Sequence, residues 1–198
     1  MSVRPHRMRI DPISWWTSEV SEFAPVGHVL RRHMHDKWTR FHSLPESKRY
    51  AESDAEHQEV LKRHLAVASE LFEVGAPIYI YKCRLVERRL KGKLKHMLVG
   101  NQLRERMVRL PSGLSMNEED DGYYCVRALA TSWTPTFFSA LTKKVAEWEE
   151  TGVTFVSPTT KNIYCPYDGG MDVFPHTDSP STLEAKFSSW MSSREDKM

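Results

Sequence analysis

The chain has 198 residues, 40% hydrophobic, 11% aromatic and 27% charged, with 28 Lys and Arg against 26 Asp and Glu for a formal charge of +2. Such a length suits one domain with a sizeable core, and the aromatic content excludes a disordered tether. The near-balance of charge by itself names no polyionic partner.

The N-terminus, MSVRPHRMRIDPISWW, is basic but is not followed by an apolar stretch of signal-peptide length. Elsewhere the apolar runs are too short to span a bilayer, so a soluble cytoplasmic protein without membrane contact is expected. Cys83, Cys125 and Cys165 are odd in number, far apart and set in apolar or aromatic stretches. They read as reduced, buried hydrophobes rather than a disulfide framework.

Residues 1–36 form an N-terminal helical segment expected to pack on the domain, with a helix near Ser14 to Met34 broken by Pro25. The cluster HMHD (His33, Met34, His35, Asp36) has no third ligand at a useful spacing, so no metal is assigned. A strand follows from Lys37 to Ser43. Its alternation puts Trp38, Arg40 and His42 on one face and Thr39, Phe41 and Ser43 on the other. Leu44 and Pro45 end it, and Lys48, Arg49 and Tyr50 occupy the loop beyond.

The clearest helix runs from Ser53 to Val74: Ser53 and Glu56 have capping-box spacing, apolar residues recur at helical intervals, and Gly75 and Pro77 stop it. His64 falls on its apolar side and reads as a hydrogen-bonded core residue. A strand from Pro77 to Val86 leads into a segment unlike the rest of the chain. Between Lys82 and Arg109 stand ten Lys and Arg and two acids, a charge of +8 that leaves −6 on the remainder. Arg88, Arg89, Lys91, Lys93, Lys95, Arg104 and Arg106 make it a basic surface, and Glu118 to Asp121 form an acidic run just beyond.

After a strand from Tyr123 to Ala130, a helix starts at Thr134 with Pro135 at its first position and carries Phe137, Phe138, Leu141, Val145 and Trp148 towards Gly152. Val153–Val156 and Asn162–Cys165 read as a hairpin around SPTTKN. Asp168, Gly169 and Gly170 have turn composition, with Asp172 close behind. A last helix after Asp178 and Pro180 carries Leu183, Phe187, Trp190 and Met191. The fold class that emerges is α+β, a single-domain sandwich of a mostly antiparallel sheet with about three to four helices. The α+β domain covers 37–193 with a basic insert at 87–121, and 194–198 is a charged tail.

Chemistry concentrates in two stretches. In the first, Arg40, His42, Lys48, Arg49 and Tyr50 would hold a carboxylate or phosphate through a bidentate arginine, unless nearby Glu46, Glu52 and Asp54 neutralise them. In the second, Asp168 and Asp172 would serve as an acid/base pair, as ligands of a hard cation, or simply as turn caps. No glycine-rich phosphate loop, HExxH, paired-cysteine zinc motif or nucleophile elbow occurs, so no cofactor is assigned.

RFHSLPESKRY, TSWTPTFFSAL, PYDGGMD and FSSWMSS, in that order, resemble a family of small uncharacterised bacterial proteins carried as a domain of unknown function. The resemblance spans Trp38 to Ser193 and leaves the first forty residues and the basic insert outside it. It implies bacterial origin and a cytoplasmic setting, and Arg40, His42, Lys48, Arg49, Tyr50, Asp168, Gly169, Gly170 and Asp172 as the motif positions. It carries no activity.

Three functions compete. The favoured one is a non-enzymatic interaction protein, such as a toxin-immunity inhibitor that docks a partner protein by charge complementarity. The second is an enzyme for a small phosphorylated or carboxylated substrate, with His42, Asp168 and Asp172 as catalytic candidates; it requires the two stretches to converge. The third is nucleic-acid binding through the basic insert, which lacks aromatic residues for base stacking.

Overall fold

Pro12 and Pro135 sit where a missing amide hydrogen costs nothing, and Asp11, Thr134 and Ser179 accept hydrogen bonds from the first turns they precede. The helices they open lie on both sides of one sheet. The computed structural model describes residues 11–86, 108–111, 123–192 and 194. Among these are five α-helices: α1 (Pro12–Glu19), α2 (Gly27–His33), α3 (Asp54–Leu71), α4 (Pro135–Ala146) and α5 (Pro180–Lys186). Seven strands accompany them: β1 (Thr39–His42), β2 (Pro77–Val86), β3 (Val108–Pro111), β4 (Tyr123–Ser132), β5 (Val153–Val156), β6 (Ile163–Tyr167) and β7 (Gly170–Phe174).

The strands form one sheet in the order β1-β7-β6-β5-β2-β4-β3, and every pairing is antiparallel. Alternation along the strands builds a core on each face. Tyr81, Cys83, Val126, Ile163, Cys165 and Phe174 meet α1 and α2, where Trp16 is fully buried. On the other face Ile80, Phe155, Tyr164, Met171 and Val173 meet α3, α4 and α5. The chain is thus a single-domain α+β sandwich, with β1 alternating as expected: Trp38 joins the first core and Phe41 the second.

Several expectations shift. The expected break at Pro25 separates α1 from α2, and the first strand is shorter because His35–Lys37 forms a 3-10 turn. α3 stops at Leu71, since Phe72 turns extended and enters the core and Gly75 takes the left-handed conformation (φ +82°). α4 ends at Ala146, and Trp148 leaves its expected apolar face. Two strands were not expected. β3 lies within the span read as an insert, and β7 contains Gly170 and Asp172, which had been assigned to a turn. The rest of the basic insert, including Arg88, Arg89, Lys91, Lys93, Lys95, Arg104 and Arg106, lies outside the described residues.

Candidate functional site

One end of the sheet gathers both motif stretches. β1 finishes opposite the start of β7, β6 finishes where β7 starts, and β5 starts beside them. The loop after β1, the Asp168–Gly169 turn and the loop between α4 and β5 therefore meet at this end. β2 also runs out here, since Lys82 pairs Val153 and Arg84 and Leu85 extend beyond.

Asp172 is the buried centre of the arrangement, 3% exposed. Its Oδ1 accepts from Trp38 Nε1 and Arg40 Nε, both at 2.8 Å, and its Oδ2 accepts from Arg40 Nη2 at 3.1 Å. The Arg40 guanidinium lies 5.5 Å from the Trp38 ring centroid and 5.0 Å from that of Tyr167. Burial opposes its charge, but the hydrogen bond and the charge of Asp172 prevail and raise its pKa. Gly27 allows α2 to approach, because a Cβ there would stand 2.7 Å from Asp172 Oδ2.

Four residues earlier, Asp168 repeats the pattern near the surface. Its Oδ2 accepts from Arg49 Nε at 2.5 Å and from Trp148 Nε1 at 3.0 Å. Arg49 crosses Gly169, where a Cβ would lie 3.2 Å from Arg49 Cγ, and its guanidinium stands 5.8 Å from the Tyr50 ring centroid. Lys48 bridges Glu52 at 3.0 Å and Glu56 at 2.8 Å. The structure thus brings Arg40, Arg49, Asp168, Gly169, Gly170 and Asp172 together. It also gives each expected anion-holding cation a carboxylate of its own, and neither aspartate is spent on capping a turn.

His42 is 8% exposed and its buried Nε2 has no hydrogen-bond partner among the described residues. Burial, then the charges of Arg40 and Arg63, lower its pKa. Arg63 donates to the His42 carbonyl at 3.3 Å and to Glu59 at 2.8 Å. Beneath the end lies a chain the sequence reading did not assemble: Ser43 Oγ is 2.7 Å from His64 Nε2, and His64 Nδ1 is 2.6 Å from the Tyr164 hydroxyl. All three side chains are fully buried, and burial pulls His64 down to about 3. It is a neutral, hydrogen-bonded core histidine.

The surface of this end was also missed. Among the described residues four large hydrophobic side chains stand exposed, and three belong here: Tyr50 (48%), Leu85 (52%) and Trp148 (57%). Trp148 holds a left-handed backbone (φ +61°), unusual for a bulky residue, as do Glu46 and Ser47 in the loop after β1. Glu150 returns to the interior and pairs with buried Lys82, so Lys82 adds no free charge to the surface.

Among the described residues no group of three or more His, Cys, Asp or Glu is placed to hold a metal, and no helix is long and apolar enough to cross a membrane. A family model described as "Domain of unknown function (DUF3885)" matches residues 26–195, a span that takes in the basic stretch as well as both motif regions. No curated protein and no solved structure matches.

Proposed function

The chain belongs to the DUF3885 family, whose description names no activity, and from its own geometry we propose that it is a non-enzymatic interaction protein of the bacterial cytoplasm, an inhibitor of the toxin-immunity type that docks one partner protein. The observation that carries this reading is Trp148. A tryptophan 57% exposed, in a left-handed backbone and pinned by its indole to Asp168, is costly for a fold to keep without a use. Arg49 shares Asp168 with it, and Tyr50 lies beside Arg49. Tryptophan, tyrosine and arginine are the residue types on which protein interfaces concentrate their binding energy. From the loop after β1 to the loop before β5 this surface crosses three strand spacings, roughly 14 Å.

The same geometry favours this reading over an anion-processing enzyme. Arg40 and Arg49 would have to release Asp172 and Asp168 before binding a phosphate or carboxylate, and partner docking asks for no such exchange. The test is capture from the native host on the tagged full chain, with wild type beside Trp148→Ala and Tyr50→Ala. Wild type should retain one dominant protein in stoichiometric amount, and co-expression of the chain should relieve that protein's toxicity. Each variant should retain at least about tenfold less. Equal recovery by wild type and both variants would remove the proposal.

A further inference from the structure

Register places a second cluster of arginines on β2 and β4. Lys82 pairs Arg127 and Arg84 pairs Cys125, so Lys82, Arg84 and Arg127 share one face of the sheet, with Arg84 and Arg127 diagonal neighbours. Lys82 is buried against Glu150 and its charge is answered. Arg84 is exposed and Arg127 half-buried, and neither has a carboxylate partner among the described residues. That contrasts with Arg40, Arg49 and Arg63, each of which holds one. On the far side of β4, the position in register with Cys125 is again an arginine, Arg109 of β3.

Two like charges close together on one face of a sheet repel each other. A partner that answers both relieves that repulsion. We propose that this strip docks an acidic segment of the partner protein, in extended conformation, with carboxylates two residues apart; the inference rests on reading the chain as an interaction protein. The geometry fits such an occupant. One strand spacing and a two-residue step set the backbones of Arg84 and Arg127 about 8 Å apart, while alternate side chains of an extended peptide are about 7 Å apart on one side. Each guanidinium fork then takes one carboxylate in a bidentate pair. Leu85, the next residue, alternates to the opposite face of β2, so the strip stands apart from it. Single-stranded nucleic acid would want several stacking aromatics beside the cations. On this face of β4 there is one, half-buried Tyr123.

The test is fluorescence anisotropy on the full chain with a labelled alternating Glu-Ser peptide of about twelve residues, its Gln-Ser counterpart and a labelled mixed-sequence RNA of about the same length. Wild type should bind the Glu-Ser peptide and ignore the Gln-Ser one. R84Q/R127Q should weaken binding at least about tenfold, and R84K/R127K should recover part of the loss because it keeps the charge without the fork. No binding by wild type, or equal binding by R84Q/R127Q, overturns the proposal. Tighter RNA binding lost in the same variant overturns it in favour of a nucleic-acid strip. Capture of the native partner separates the two levels. Loss in Trp148→Ala with full retention in R84Q/R127Q discards the strip and leaves the interaction reading standing. Retention in both discards the reading itself.

Discussion

Asp168 and Asp172 stand four residues apart in one hairpin and keep the same company. Each accepts from the indole of a tryptophan and the guanidinium of an arginine. What separates them is water. Asp172 and Arg40 have side chains 4% and 12% exposed, whereas Asp168 and Arg49 stand at 11% and 57%. The inner set ties β1, β7 and α2 into the sheet. The outer set holds Trp148 and Arg49 where a partner would meet them. One chemical motif, used twice, is a structural tie at one depth and, on the proposed reading, a presenting device at the other.

The sharpest way to break this comparison is to remove each carboxylate in turn. Asp172→Ala leaves Arg40 and the Trp38 indole buried without their acceptor, and urea unfolding should show a loss of about 3–5 kcal/mol. Asp168→Ala frees a guanidinium already half in water, and the loss should stay below about 1 kcal/mol. Equal losses would mean that depth does not distinguish the two aspartates.

Acid probes the inner region through His64. The unfolded chain binds a proton at His64 below about pH 6.5, while the folded chain refuses it until about 3. Stability therefore does not change on this account above pH 6.5 and falls as the pH drops, by about 1.4 kcal/mol per unit, or about 2 kcal/mol by pH 5. His64→Gln should make that slope shallower by the share His64 contributes while lowering the overall level. An unchanged slope would show that the Ser43–His64–Tyr164 chain accepts a proton in the folded state.

Sequence pattern revealed the inner region better than the outer. Alternation placed Trp38 and Arg40 on one face of β1, and helical period placed His64 in the core. Their pairing with residues about 130 and 100 positions away needed the fold. β7 was hidden because the glycines of DGG read as turn although only Asp168 and Gly169 make it, and β3 because its four residues lie within a charged stretch. Trp148 was misplaced for a plainer reason. It follows Val145 at a helical interval, and no glycine marks the left-handed residue that takes it off the helix. Local period cannot register a break that is held by a contact with Asp168 twenty residues away.

The smallest stability change should fall on that same residue, with the largest consequence for binding. Trp148→Gly relieves a left-handed backbone strain of about 1 kcal/mol. Against this stand one exposed hydrogen bond, about 0.5–1 kcal/mol, and the greater freedom of glycine in the unfolded chain. The terms nearly cancel, so unfolding should move by no more than about 1 kcal/mol in either direction while partner capture drops at least about tenfold. A loss above about 2 kcal/mol would make Trp148 a structural element like Trp38 and erase the distinction between the two aspartates. Unchanged stability with capture lost would mean that the tryptophan is kept in its unfavourable conformation for the surface it presents.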